Sequence, residues 1–107
     1  MCWSIKGIVI AWRVESSFRL EVYLFVVLAP LGLWLGQSGI DRAVLVGCLI
    51  PVMAAELLNS AIEALIERYG SEQHELAGRA KDMGSAAVFL LMANVLLCWT
   101  LVLWQRL

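Results

Sequence analysis

The stretch AVLVGCLIPVMAAELLNSAIEALIER, Ala43 to Arg68, decides the fold. Its first 13 residues, Ala43 to Ala55, carry no charge. The apolar character then continues through Leu57, Leu58, Ala61, Ile62, Ala64, Leu65 and Ile66, interrupted by Glu56, Glu63 and Glu67. Apart from Gly47 and Pro51 nothing in the stretch disfavours a helix, so it reads as one helix about 39 Å long at 1.5 Å per residue, enough to cross a bilayer. With Glu56 as origin and about 100° per residue, Asn59 falls near −60°, Ser60 near +40°, Glu63 near −20° and Glu67 near +20°. The polar residues share one stripe, and the rest of the circumference is Leu, Ile, Val, Ala and Met.

Two longer uncharged runs flank this helix, the 19 residues from Val22 to Ile40 and the 23 from Met83 to Gln105. Each is long enough to span a membrane. The 107 residues are 62% hydrophobic and 16% charged, against about 45–50% and 25% in a soluble domain. This composition argues against a soluble enzyme or a disordered tail, and a net charge of −1 gives no basic excess for nucleic acid. The expected fold is therefore an all-α membrane protein forming a single membrane domain, residues 1–107, with spans at 22–40, 43–68 and 83–105. Lys6, Arg13, Arg19, Arg68, Arg79 and Lys81 fall on one side and Arg42 and Arg106 on the other. That bias orients the N-terminus and second loop to the cytoplasm and the C-terminus outward.

Residues 1–21 precede the first span and mix Trp3, Ile5, Ile8, Ile10, Trp12 and Phe18 with Lys6, Arg13, Glu15, Arg19 and Glu21. They read as an amphipathic helix in the interface leading into that span, or alternatively as its plain continuation. Gly36 to Arg42 reads as a short turn, and Ser71 as the N-cap of a helix that runs through Arg79 and Asp82 into the third span. Cys2, Cys48 and Cys98 lack metal or redox spacing, and Cys48 and Cys98 read as small packing residues.

Glu56 lies about half-way along its span, where an ionisable residue costs on the order of 3 kcal/mol. A polar seam between helices, with Asn59 and Ser60 bonded across an oligomer interface, is the plainer explanation of the stripe. Three carboxylates leading from mid-membrane to the cytoplasmic surface fit a site better. Glu56 is placed to take a proton from a hydroxyl, and Glu63 with Glu15 offers the hard oxygen ligands that Mg²⁺ prefers. Lys81 and Arg79, beside Asp82, could neutralise phosphates or simply anchor the helix end. His74 is the single histidine and reads equally as a solvated loop residue or a site residue. No GxxxxGK[ST] or GxGxxG loop is present.

The segment AELLNSAIEALIERYGSEQHELAGRAKDMGSAAV, Ala55 to Val88, resembles the signature region of the prokaryotic diacylglycerol kinase family. AWRVESSFRLE, Ala11 to Glu21, is similar to that family's N-terminal stretch, and the likeness runs on to CWTLVLW at Cys98 to Trp104. The resemblance implies a homotrimer of three-helix subunits, each with a surface helix, in the bacterial inner membrane. It implies phosphorylation of membrane diacylglycerol by ATP with Mg²⁺, at sites built from neighbouring subunits.

Carried over by motif, Glu56 matches the general base, Glu15 and Glu63 the metal carboxylates, and Asn59 the polar residue beside the base. Glu72, Gln73, His74, Lys81 and Asp82 match nucleotide positions, with Trp3 at that edge where a tyrosine is usual. Arg42, Ser85 and the stretch from Trp99 to Trp104 match positions bordering the lipid. The chain starts later than other members, Leu20 stands where glutamine is usual, and Glu67 where aspartate is common. Two other functions share these residues: an undecaprenol kinase of the same fold, and a non-enzymatic proton or cation conduit lined by the glutamates.

Overall fold

The computed structural model describes residues 2–69 and 74–105, for Tyr69 and His74 the backbone alone. It is built from helices, with no strand among the described residues: α1 (Cys2–Val14), α2 (Ser16–Leu35), α3 (Gly39–Gly47), α4 (Ile50–Tyr69) and α5 (His74–Trp104). Three stretches are long and apolar enough to cross a membrane: Ser16–Leu35, Gly39–Arg68 and Glu75–Trp104, with mean hydropathies of 1.7, 1.8 and 2.4. Helices suit that setting because they satisfy their backbone polar groups internally.

α1 is a helix in its own right. The chain breaks at Glu15, whose extended backbone (φ −103°, ψ 108°) separates α1 from α2. The Arg19 guanidinium bridges the break by donating to the carbonyls of Trp12 and Arg13 at 3.1 and 3.3 Å. Trp12 also meets Tyr23 edge to face, with ring centroids 5.6 Å apart.

The first span ends at Leu35 rather than running on to Ile40, and the turn after it is shorter than Gly36 to Arg42. Ser38 starts the next helix early: its Oγ accepts from the Asp41 N–H at 3.1 Å, and the Asp41 carboxylate accepts from the Gln37 N–H at 3.2 Å. This reciprocal arrangement satisfies donors that a helix start leaves open. Across the turn, Arg42 Nε donates to the carbonyl of Leu33 at 3.1 Å, covering an acceptor at the end of α2.

The second span is not one helix. α3 and α4 are separated by a turn at Cys48–Leu49, immediately before Pro51. Proline has no N–H to give to the carbonyl of Gly47, and its ring crowds that carbonyl. The backbone tightens ahead of it, so that Leu49 N–H bonds to Val46 at 3.1 Å and not to Leu45 four residues back. The Leu45 carbonyl, left by its helix, accepts instead from the indole Nε1 of Trp99 on α5 at 3.0 Å and from Cys48 Sγ at 3.5 Å.

Around that tie the helices pack closely. Leu45 is fully buried, and a Cβ on Gly32 of α2 would come within 3.1 Å of the Leu45 Cβ. α4 packs along α5, with Gly84 and Val88 buried, while α1 lies against α2 and α4. Much of the outer surface of α2 and α5 is Leu, Val, Phe and Trp, as a lipid-facing surface requires.

Candidate functional site

The inward face of α4 carries the polar stripe expected from its periodicity. Glu56 is 8% exposed and Ser60 is buried, Asn59 and Glu63 are half-buried, and Glu67 is exposed at the open end. The stripe thus grades from the interior towards solvent. Asn59 Nδ2 donates to Glu63 Oε1 at 3.3 Å, one turn apart, which leaves the second carboxylate oxygen of Glu63 for another partner.

Glu15 joins this face from another element. The break between α1 and α2 puts it at the mouth of a groove of about 380 Å³. Trp3, Gly7 and Ala11 of α1 form one wall and Leu57, Ser60 and Ala61 of α4 the other. Glu15 occupies the N-cap position of α2 yet makes no side-chain capping bond, so its carboxylate is uncommitted there. Among the described residues, Glu63 and Glu15 are charged groups that bear on Glu56.

A further carboxylate, Glu21, belongs to the cluster and was not singled out from the sequence. It is 8% exposed on α2, within reach of the charge of Glu56. It stands at the polar end of an apolar cleft of about 250 Å³, lined also by Leu24, Phe25, Leu28, Val52 and Met92. The signal was present: Phe18, Glu21, Phe25, Leu28 and Gly32 recur at three- and four-residue intervals and are buried or half-buried. Read as the charged edge of an uncharged run, Glu21 loses that phase.

Among the described residues no group of three or more His, Cys, Asp or Glu side chains converges as a ready metal site. A hard cation such as Mg²⁺ needs only one or two carboxylates and completes its shell with water and substrate phosphates. Glu15 and Glu63, both with uncommitted oxygen, are a donor set of that kind.

The other expected residues are spread more widely. Lys81 and Asp82 are exposed near the start of α5, and Arg79 pairs with Glu75 at 2.8 Å between exposed side chains. Because Gly84 and Val88 face α4, Asp82 points about 160° away from Gly84 while Lys81 lies about 60° from it. Ser85 is exposed, Trp104 is exposed at the far end, and Trp3 is 89% exposed at the groove. Trp99 spends its N–H on Leu45, and Arg42 its Nε on Leu33. Glu72, Gln73, the side chain of His74, the N-cap expected at Ser71 and the outward charge of Arg106 lie outside the described residues.

Three membrane-length helical spans around a buried carboxylate cluster define a class, a small helical membrane protein with a polar site inside the span. Comparison with known proteins gives the family. The prokaryotic diacylglycerol kinase model matches residues 2–103, and the chain belongs to that family. It is 44% identical over 104 residues to the diacylglycerol kinase of Escherichia coli K12, covering 97% of this chain and 85% of that protein. The diacylglycerol kinase of Haemophilus influenzae is 43% identical over 97 residues, covering 91% of this chain and 82% of that one. That of Pseudomonas aeruginosa is 41% identical over 101 residues, covering 94% and 82%.

Proposed function

We propose that this chain transfers the γ-phosphoryl group of ATP to the primary hydroxyl of membrane diacylglycerol. The observation that carries the reading is Glu56, a carboxylate buried at mid-helix with Glu15 and Glu63 around it, in a chain of this family. In the reaction the lipid oxygen bonds to the γ-phosphorus, the bond from that phosphorus to the bridging oxygen of ADP breaks, and the hydroxyl proton passes to Glu56. Glu15 and Glu63 would hold Mg²⁺, which would offset charge on the phosphates. Asn59 steadies Glu63, and Lys81, Asp82, Glu72, Gln73, His74 and Trp3 serve the nucleotide. Arg42, Ser85, Trp99 and Trp104 border the lipid.

The assembly proposed is a homotrimer in the bacterial inner membrane, N-terminus cytoplasmic and C-terminus periplasmic, with α1 lying along the membrane surface. The direction of Asp82, away from its own α4, favours a site completed by a neighbouring subunit. Purified protein in mixed micelles with Mg-ATP, offered diacylglycerol and undecaprenol in parallel, tests the substrate. Radiolabelled phosphate is expected on diacylglycerol. Label on undecaprenol alone would make the chain an undecaprenol kinase, and no label on either lipid, with ion flux into vesicles, would favour the conduit.

A further inference from the structure

The contact between Asn59 and Gly84 joins the carboxylate stripe to α5. Asn59 Oδ1 is buried and has no conventional hydrogen-bond partner. Gly84 on α5 lies directly against it: a Cβ built on Gly84 would overlap Oδ1 and stand 3.3 Å from Asn59 Cγ and 3.4 Å from a methyl of Ile62. A Cα–H of Gly84 occupies that direction instead, and C–H···O contacts of this kind recur where two helices approach closely. The amide can point only one way. Reversed, it would set its oxygen against the Glu63 carboxylate and waste its N–H₂ on Gly84.

We propose that Gly84 is a positioning residue for the metal end of the site: by carrying no side chain it seats the Asn59 carboxamide, which donates to Glu63 and orients that carboxylate. The inference rests on the reading of Glu63 as a metal ligand. Groups that orient a ligand in this way are worth about 10–100-fold in metal affinity. A side chain at position 84 displaces the amide, and Glu63 then loses its fixed direction without being touched.

The test uses the whole protein in micelles with a non-hydrolysable ATP analogue, titrated with Mn²⁺ and followed by electron paramagnetic resonance. Gly84→Ala is expected to weaken Mn²⁺ binding by about tenfold or more and to shift the side-chain amide resonance of Asn59 in ¹⁵N-edited spectra. Gly78→Ala, on the same helix with nothing within 4 Å of the new methyl, should do neither. In an Asn59→Ala background, where the methyl at 84 has room, Gly84→Ala should cost nothing further. This background keeps the test available if Gly84→Ala alone fails to fold.

Native Mn²⁺ affinity in Gly84→Ala, or a further loss of similar size in the Asn59→Ala background, would overturn the proposal. If Glu63→Gln leaves Mn²⁺ affinity unchanged, the metal assignment fails instead. The Asn59 resonance then decides the seat alone, and an unmoved signal in Gly84→Ala sinks it.

Discussion

A carboxylate in the middle of a membrane helix is retained against a cost of about 3 kcal/mol, so removing its charge separates chemistry from architecture. Glu56→Gln preserves shape and hydrogen-bonding capacity but cannot accept a proton. Turnover should fall by about 10² or more, while nucleotide affinity and the thermal midpoint in micelles stay level or rise. Near-native turnover would remove Glu56 from the reaction. Glu15→Gln and Glu63→Gln should each raise the Mg²⁺ concentration needed for half-maximal activity. The double variant should lose much less than the sum of the two, because ligands of one ion act as a unit, and additive losses would argue against a shared ion. Glu56, Asn59 and Glu63 were legible because a single helical phase relates them. Glu21 shares the buried phase of α2, but that this phase turns towards Glu56, and that Gly84 meets Asn59, were not legible: what a residue on one helix meets depends on the rotation of the next, and no periodicity within one segment contains that.

At the scale of elements, the second span was legible as a membrane-length segment but not as two helices. Pro51 was visible, yet whether a proline bends or breaks a helix depends on who takes over the abandoned carbonyl. Here the carbonyl left open is that of Leu45, freed where Leu49 bonds to Val46 ahead of the proline, and its donor lies 54 residues away on Trp99. Trp99→Phe keeps most of the ring and deletes the N–H, leaving a buried carbonyl without its strongest partner. A loss of about 1–3 kcal/mol is expected, read as a lower thermal midpoint with kcat little changed. An unchanged thermal midpoint would remove the indole N–H from this tie and leave Trp99 only its proposed place at the lipid border. The break between α1 and α2 has a similar logic. Glu15 serves both the junction and the site because an extended residue between helices directs its side chain off the axis of either.

At the scale of the molecule, the chain leaves its third span largely uncovered, with 6% of the most apolar window buried, and points Asp82 away from the stripe on α4. Both features suit subunits that complete one another. Inactive Glu56→Gln protein mixed with inactive Asp82→Asn protein should recover part of the activity, since some sites then receive a native residue from each parent. Exchange of subunits is checked first by co-purification of differently tagged chains. Mixed oligomers that form and stay inactive would place each whole site within one chain. The three-span architecture followed from the lengths and placing of the uncharged runs, whereas assembly did not, because an apolar surface suits lipid and neighbour equally.

The unbroken third span and the broken second one also differ in how they meet a bilayer of the wrong thickness. α5, with 31 residues, is about 46 Å long, well beyond a hydrocarbon core of about 30 Å, so its charged first turns stand above the lipid like a mast. A rigid mast answers hydrophobic mismatch by tilting, whereas the second span has a break in its backbone bonding at Cys48–Leu49, where bending costs less than in an intact helix. The height of Lys81 relative to Glu63 therefore becomes a function of the host membrane. Phosphoryl transfer should pass through an optimum as the acyl-chain length of the surrounding lipid is varied, and Pro51→Ala, by stiffening the second span, should move it.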